Sequence, residues 1–443
     1  MLSRTITPKL QKLTTPFYLY DITLLRSTLR SVVEHSSRYG YVVHYALKAN
    51  FEERILREAL AAGLGVDCVS GNEIRRCIEV GFPASGIVFA GVGKSDSEIE
   101  YALRQNIFAF NAESRAELEV IDSIAGRIGL GHKARVALRI NPDVEPNTHK
   151  YISTGQADSK FGISYTEVEQ VAAELSSLGN IEITGLHFHI GSQIRDMTAF
   201  ENLARRAGEL YNWFMAKGFS LKHINLGGGL GIDYDNPEGE LIPNFDAYFD
   251  IFHRLLKVPA DVEVHFELGR SIVGQCGELV SRVLFTKINA AGKNVAIIDA
   301  SMTELIRPAL YHARHAIENL GGEEAGAENG TTNACGARCQ PVGERDGERL
   351  RSTARSTFSQ PAGPTERSPQ PAKAESVAAR PAAVYTIGGP VCESSDIFVR
   401  DVTLPELRRG DLVTIKSAGA YGTAMASHYN LHALPSSYFS DEI

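Results

Sequence analysis

Three strand–helix units follow one another in residues 66–126, VDCVSGNEIRRCIEVGFPASGIVFAGVGKSDSEIEYALRQNIFAFNAESRAELEVIDSIAG. Short β-branched or aromatic runs such as IVFA and IFAF predict buried strands. The intervening segments, such as GNEIRRCIEVG, repeat apolar residues at three- and four-residue spacing, which predicts amphipathic helices. Ser95, Ser114 and, further on, Ser159 are candidate helix starts. This alternation of strand and helix patterns is typical of a parallel sheet covered by helices.

The alternation continues on both sides of this stretch. Further helical patterns are EERILREALAAG (52–63), YTEVEQVAAELSSLG (165–179) and FENLARRAGELYNWFMAKG (200–218). The strand candidates are Val42–Leu47, Val66–Val69, Ile87–Ala90, Ile107–Phe110, Arg135–Ile140, Gly185–Ile190, His223–Leu226 and Val262–Phe266. Eight such units in about 240 residues predict a (β/α)8 TIM barrel. Periodicity alone leaves an open doubly wound sheet as the alternative.

After the predicted barrel, the alternation of strand and helix patterns gives way to a series of strand patterns. ELVSRVLFTKINA and DLVTIKSAGAY are among several strand-like runs separated by Gly, Asp and Pro turns, which predict a mainly β domain. The stretch from Gly321 to Arg380 has almost no large apolar residues, so it is predicted to be a disordered insert. The segment TPFYLYD near the N-terminus is predicted to pair with the β domain. The predicted divisions are an N-terminal segment 1–25, a barrel 26–275, a β domain 276–320 and 381–443, and the insert 321–380.

Composition narrows the class of partner. The chain has 443 residues, 43% of them hydrophobic, and a formal net charge of −8 without a basic cluster, which argues against nucleic acid and anionic membranes. No apolar run is long enough for a membrane helix, and the first residues lack the apolar core of a signal peptide. A cytoplasmic location is therefore expected, with an organellar transit peptide left open. The six cysteines are scattered, and Cys335 and Cys339 have no second pair, so no metal site is expected.

Chemically capable residues follow the predicted barrel strands at the end where such barrels place their active sites. Lys48 follows the first strand; His189 and Ser192 follow the sixth; Gly228 and Gly229 follow the seventh; Glu267 and Arg270 follow the eighth. Each has an ordinary explanation on its own: a solvated lysine, a core histidine, a tight glycine turn, or a Glu267–Arg270 ion pair. Their joint placement indicates a site for pyridoxal phosphate.

The residue types suit that cofactor. A glycine-rich turn can present backbone N–H groups to a phosphate, and Ser192 can add a hydroxyl donor. Lys48 supplies an amine for a Schiff base with the cofactor aldehyde. Glu267 can keep a pyridine nitrogen protonated, and His189 is suited to lie against the ring face.

A family resemblance extends this interpretation over nearly the whole chain outside the insert. Its motifs are YALKAN, SKFGI (159–163), HFHIGSQ (187–193), LGGGLG (226–231), ELGRS (267–271), LIRPALY (305–311), GPVCESSD (389–396) and GAYGTAMASHYN (419–430). With these the chain resembles the group-IV amino-acid decarboxylases, which have an alanine-racemase-like barrel and a β domain. The branch it resembles most acts on meso-2,6-diaminopimelate to form L-lysine and CO2.

The resemblance implies a set of roles. Lys48 would be the cofactor lysine, with the glycine turn, Ser192 and the ELGR segment, including Leu268 and Gly269, around the cofactor. Cys392 and Glu393 would reach the site of a neighbouring subunit, which implies a head-to-tail homodimer. Cys392 would return a proton to the substrate carbon, although an inert buried thiol is the alternative for a lone cysteine.

The substrate assignment rests on arginines. Under the resemblance, Arg270 and Arg307 anchor the far carboxylate of a diamino diacid, a task that suits the guanidinium fork. Tyr311 belongs to the same substrate site, Glu393 would take the distal ammonium, and Tyr421 would contact cofactor and substrate. Without the family, Arg307 and Tyr311 could simply pack a domain junction.

Two rival functions stay open. One is a decarboxylase of ornithine, arginine or a D-amino acid with the same fold; the other is a non-catalytic regulatory homologue. Leu268 departs from the proline usual in the family's motif, which is expected to loosen the turn that carries Glu267. TEL at 303–305 stands where NDL is common, and the insert separates Tyr311 from Cys392.

Overall fold

The first half of the chain forms a closed parallel barrel. The computed structural model describes residues 2–142, 160–321 and 380–443. The strands up to residue 268 are β1 (Phe17–Tyr20), β2 (Val42–Ala46), β3 (Gly65–Cys68), β4 (Ile87–Phe89), β5 (Ala109–Ala112), β6 (Ala134–Asn141), β7 (Ile163–Ser164), β8 (Ile181–His187), β9 (His223–Asn225) and β10 (Glu263–Leu268). The barrel order is β5-β4-β3-β2-β10-β9-β8-β6, and β5 also pairs with β6. This last pairing confirms the predicted barrel and rules out the open sheet.

Helices surround the barrel. Those described are α1 (Leu2–Thr5), α2 (Thr7–Leu10), α3 (Ile22–Ser37), α4 (Glu53–Ala61), α5 (Gly71–Val80), α6 (Asp96–Gln105), α7 (Arg115–Ile128), α8 (Val168–Glu174), α9 (Met197–Ala216), α10 (Phe245–Leu255), α11 (Arg270–Val273) and α12 (Arg307–Tyr311). Ser95 forms a capping box with Glu98, and the Ser114 hydroxyl accepts a hydrogen bond from the N–H of Glu117. These two predicted helix starts are confirmed, whereas Ser159 lies outside the described residues. The sequence patterns did not identify two long helices, α3 and α10, or the short helices α1, α2 and α11.

The second sheet is assembled from both ends of the chain. Its further strands are β11 (Gly277–Ile288), β12 (Asn294–Ile298), β13 (Ile317–Asn319), β14 (Ala382–Gly388), β15 (Ile397–Pro405), β16 (Leu412–Ile415) and β17 (Ser436–Phe439). The order is β13-β16-β11-β12-β14-β15, and β1 pairs with β11 and β17. The N-terminal strand therefore joins this sheet. The numerical domain boundaries stay predictions, and the predicted insert lies outside the described residues apart from Gly321 and Arg380, as do Cys335 and Cys339.

Two layers of inward-facing polar side chains fill the barrel. His265 and Glu267 are two residues apart on β10, so both point to the interior, with Glu267 nearer the C-terminal end. His223 and Asn225 have the same relation on β9. The lower layer contains His44, whose Nε2 lies 2.8 Å from Nδ1 of His265. The upper layer borders the barrel rim, and its polar groups take part in the candidate site. No helix in the described part of the chain has the length and apolar content to cross a bilayer.

Candidate active site

Lys48 lies at the barrel rim with a buried carboxylate beside it. A 3-10 turn, Leu47–Ala49, follows β2 and carries Lys48, whose Nζ is 2.5 Å from Oδ2 of Asp67 on β3. Burial acts to lower the pKa of Lys48, but the Asp67 charge outweighs it and the net pKa is raised. Burial and the nearby Glu267 raise the pKa of Asp67 to about 6. Lys48 and Asp67 therefore form an ion pair at the point where a cofactor lysine is expected.

Glu267 is held by three side chains from three other strands. Its Oε1 accepts hydrogen bonds from Asn111 at 3.0 Å and Asn225 at 2.8 Å, and its Oε2 is 3.0 Å from Nε2 of His187. Burial would raise the pKa of this carboxyl group, but His187 and Lys48 outweigh that effect and lower it. Glu267 is thus a fixed, ionised carboxylate at the bottom of the pocket. The adjacent Leu268 is fully buried, and the expected loosening of this turn stays a prediction.

The glycine turn after β9 lies close to two other strand ends. A Cβ atom on Gly228 would collide with the carbonyl oxygen of Glu267, and Gly229 has φ of +108°. The N–H of Gly228 donates to Nδ1 of His189 at 3.2 Å. Burial, together with the charges of Arg139 and Lys48, holds the pKa of His189 well below its usual range. His189 is therefore a neutral imidazole whose Nδ1 faces the turn. Only glycine permits this close approach of backbones.

Arg270 connects three predicted site residues. It begins α11, directly after Gly269, and its Nη2 donates to Oγ of Ser192 at 3.1 Å. Its guanidinium carbon lies 4.7 Å from the ring centroid of Tyr421, whose own N–H donates to the carbonyl of Ala49 at 2.8 Å. Tyr421 has a positive φ of 57°, and this backbone conformation places it beside the Lys48 turn. The Arg270 region and the Lys48 region thus belong to one pocket.

Arg307 lies on the other side of a tyrosine that the sequence did not single out. Tyr234 accepts a hydrogen bond from Nη1 of Arg270 at 2.6 Å, and its ring centroid is 4.4 Å from the guanidinium carbon of Arg307. Arg307 is only 4% exposed, and Nη1 is 2.7 Å from Nε2 of His315. Tyr311, at the other end of α12, is partly buried.

Both arginines lack a carboxylate partner among the described residues. Arg270 and Arg307 are buried, yet their hydrogen bonds go to hydroxyl groups and a neutral imidazole. The Nε of Arg270 is buried with no hydrogen-bond partner in this part of the chain. A buried cation is costly unless an anion compensates it. Two neighbouring uncompensated guanidinium groups therefore indicate a site built for anionic groups.

Cys392 and Glu393 are not brought to this pocket by their own chain. Cys392 is exposed, and its backbone N–H donates to Oδ1 of Asn430 at 3.4 Å. Glu393 accepts a hydrogen bond from the hydroxyl of Tyr429 at 2.6 Å. The exposure of Cys392 contradicts the alternative of an inert buried thiol.

Several residues of the pocket were missed at the level of sequence. Their common feature is a polar side chain inside or directly after an apolar barrel strand, where an unpaired polar group would be costly. This signal applies to Asp67, Asn111, His187 and Asn225. No comparable signal marks Tyr234 or His315, which lie outside the barrel strands.

The donor set fits pyridoxal 5′-phosphate. Lys48 offers the amine, Glu267 an ionised acceptor for a pyridinium nitrogen, and the partnerless Nε of Arg270 a donor for an anion. The turn at Gly228 leaves backbone amides next to this arginine side of the pocket, where a phosphate is suited to bind.

Comparison with known proteins identifies the class. Residues 25–274 match the family model "Pyridoxal-dependent decarboxylase, pyridoxal binding domain", and residues 351–419 match "Pyridoxal-dependent decarboxylase, C-terminal sheet domain". The chain belongs to the family of pyridoxal-dependent decarboxylases, which are carboxy-lyases, and its cofactor is pyridoxal 5′-phosphate. The regulatory, non-catalytic alternative is therefore not supported.

Its relatives point to one branch of that family. The chain is 43% identical to a diaminopimelate decarboxylase of Bacteroides thetaiotaomicron, with 98% of each chain covered. It is 36% identical to the enzyme of the same name from Helicobacter pylori over 94% of this chain and 88% of the relative. A solved structure of diaminopimelate decarboxylase from Helicobacter pylori, complexed with L-lysine, superimposes with a TM-score of 0.77 at 34% identity, covering 96% of this chain and 91% of that one.

Proposed function

We propose that this chain removes CO2 from the D-configured carbon of meso-2,6-diaminopimelate and releases L-lysine, the last step of lysine biosynthesis. The observation that carries the proposal is the pair of buried guanidinium groups, Arg270 and Arg307, on either side of Tyr234 with no carboxylate partner among the described residues. A cofactor phosphate and the second carboxylate of a diacid would supply the missing anions. A substrate such as ornithine, with a bare terminal amine, would leave Arg307 uncompensated.

The barrel residues set up the reactive end of the pocket. When bound, pyridoxal phosphate supplies an aldehyde that reacts with amines and a ring that withdraws electrons from the bond to the departing carboxylate. Lys48 would hold the cofactor through Nζ, and Asp67 would exchange protons with that nitrogen. Glu267, fixed by three donors, would keep the ring nitrogen of the cofactor protonated through its negative charge. His189 and the glycine turn shape the pocket wall.

The substrate residues act at the other end. Arg307 would bind the distal carboxylate bidentately, with Tyr311 beside it, and Tyr421 would contact both cofactor and substrate. Cys392 would deliver from Sγ the proton that replaces CO2 on the substrate carbon. Glu393 would bind the distal ammonium group.

We propose that Cys392 and Glu393 serve the site of a second copy in a head-to-tail homodimer. Both side chains are exposed in their own chain, next to a loop that presents apolar residues to solvent. In that loop Leu431 is 95% exposed and Tyr429 is 47% exposed. Large apolar side chains clustered at such exposure are typical of interaction surfaces.

The substrate is tested by measuring CO2 release and amine products from meso-diaminopimelate, ornithine, lysine and arginine with the purified holoenzyme. We expect lysine from meso-diaminopimelate as the preferred reaction. A preference for ornithine or arginine would show that the arginine pair does not select a diacid. Lys48→Ala should abolish both the reaction and the visible absorbance of the lysine-bound cofactor.

The shared site is tested by mixing two inactive variants, Lys48→Ala and Cys392→Ala, after dissociation and reassembly. Half of the resulting dimers are mixed and each has one intact site of two, so roughly a quarter of wild-type activity should return. If activity stays at the level of the separate variants, the two residues act within one chain.

A further inference from the structure

His315 holds Arg307 through one specific form of its ring. Its Nδ1 lies 2.7 Å from the carbonyl oxygen of Lys416, which can only accept, so Nδ1 carries the proton. The other nitrogen, Nε2, therefore has a free lone pair, and it lies 2.7 Å from Nη1 of Arg307. Arg307 donates to His315, and His315 donates to the main chain. A neutral imidazole is the form that satisfies both bonds.

The second sheet fixes the position of this histidine. Lys416 donates its N–H to the carbonyl of Ala316 at 2.9 Å, directly after β16. Next to it, Ile317 of β13 pairs with Ile415 in an antiparallel ladder. His315 thus lies just before the paired strands β13 and β16. The carbonyl group that orients its ring belongs to Lys416, the residue directly after β16. The position of Arg307 is tied to the sheet register by this chain of bonds.

The ring of Tyr234 completes the support. It lies 4.4 Å from the guanidinium carbon of Arg307 and meets the ring of His315 edge-on, with 4.9 Å between centroids. Arg307 is therefore bounded by an aromatic face and an imidazole acceptor. Neither neighbour carries a negative charge.

We propose that His315 is a positioning residue that aims Arg307 at the distal carboxylate of the substrate without neutralising it, and so determines the preference for a diacid. The inference rests on the proposed function and deepens it. A carboxylate at this position would bind Arg307 more strongly but would compete with the substrate carboxylate. A neutral acceptor orients the guanidinium and leaves its charge for the ligand.

Burial supports the neutral form. Desolvation, together with the charges of Arg307 and Arg270, lowers the pKa of His315 to about 3. The backbone carbonyl of Lys416 acts in the opposite direction but does not compensate for these effects. His315 therefore stays uncharged throughout the range in which the enzyme is assayed.

The test compares two ligands that differ at the carboxylate. L-Lysine keeps the carboxylate that the proposed reaction leaves in place, whereas 1,5-diaminopentane lacks it. Inhibition constants for both are measured on the holoenzyme with meso-diaminopimelate as substrate. Loss of one charge-assisted hydrogen bond should weaken L-lysine binding by roughly tenfold or more and change 1,5-diaminopentane binding by less than about twofold.

Three variants separate orientation from general packing. His315→Asn keeps an N–H for the Lys416 carbonyl but cannot reach Arg307, so it should show the selective loss. His315→Gln reaches further and can place its amide oxygen near Arg307, so it should recover most of the lysine affinity. His315→Glu gives Arg307 a stronger partner; it should nevertheless lose lysine selectively, because its charge occupies the guanidinium. If the His315→Asn variant does not fold, the His315→Glu variant still tests the positioning role, because the same selective loss of lysine binding is expected for it.

His223→Asn is the matched control, because His223 is a buried histidine at the opposite end of the barrel. It should not change the ratio of the two inhibition constants. Equal weakening of both ligands in the His315 variants, or unchanged lysine binding, would overturn the positioning role while leaving the proposed function intact. A wild-type enzyme that forms no lysine from meso-diaminopimelate would overturn both.

Discussion

Buried neutral histidines in the lower polar layer of the barrel should make the folding stability fall at acid pH. His223 is the residue with which this effect can be measured separately. His223 is 3% exposed at the start of β9 and packs against Phe108 and His265, with ring centroids 5.0 and 5.3 Å away. Burial lowers its pKa from 6.5 to about 3, and the neighbouring His265, His44 and His187 add to the shift. The unfolded chain binds a proton at His223 below about pH 6.5, whereas the folded chain does not. Stability is therefore lost as the pH falls from 6.5 towards 3.

The size of this loss follows from the two pKa values. At pH 5, which is about 1.5 units below the pKa of His223 in the unfolded state, protonation stabilises the unfolded state by about 2 kcal/mol, at 1.36 kcal/mol per unit. At pH 7.5 the contribution is close to zero. We expect His223→Phe, which keeps a flat ring in place but cannot titrate, to lose about 2 kcal/mol less than the wild type between pH 7.5 and 5.

The assay is urea unfolding followed by fluorescence and circular dichroism at pH 7.5, 6.5, 5.5 and 5. The compared quantity is the change in the free energy of unfolding with pH, so a constant packing cost of the phenylalanine cancels. His132→Phe, at an exposed position, is the control because it removes no buried imidazole. An unchanged pH dependence in His223→Phe would refute the reasoning that a buried neutral histidine is the source.

Three further outcomes follow from the same structure. Lys94→Met should cost about 3–5 kcal/mol in urea unfolding, because the Lys94 side chain is 1% exposed and its loss leaves the Glu117 side chain, 10% exposed, without its cationic partner; Arg104→Met at a surface ion pair should cost under about 1 kcal/mol. Gly228→Ala should weaken cofactor retention in absorbance titrations, since the new Cβ would displace the carbonyl of Glu267, while Gly179→Ala, which has open space, should bind the cofactor normally. Cys392→Ala should lower kcat by about a hundredfold in single-turnover and steady-state assays and leave the unfolding midpoint nearly unchanged, because the side chain is exposed within its own chain. A wild-type kcat would exclude it as the proton donor.

The barrel and the positions of the principal site residues could be predicted because both depend on local pattern. The residue that follows a barrel strand lies at the rim where that strand ends. Lys48, His189 and Glu267 could therefore be assigned to one site from the sequence alone. The two long helices that were not predicted, α3 and α10, show where this reasoning fails. Both α3 and α10 have apolar residues at three- and four-residue spacing, but these segments were not recognised as helices distinct from the neighbouring predicted strands. Helix α3 lies between β1 and the first barrel strand.

The partners of those site residues could not be predicted. Asn111 and Glu267 are 156 residues apart, and their hydrogen bond exists only because β5 and β10 face each other across a closed barrel. The departure at Leu268 is a related case: the expected loosening of the turn stays a prediction, while hydrogen bonds from three other strands hold Glu267 in place.

By itself the sequence determined the alternation of strands and helices, the barrel, and the set of groups that crowd its rim, because periodicity and chain direction are local properties. Only the tertiary structure decided which of these groups are charged, paired or left without a counterion. Lys48 is paired with Asp67, Glu267 is fixed as an anion, and Arg307 is oriented by a neutral His315. These states depend on burial and on contacts between distant segments, and such contacts form only when the two sheets are complete.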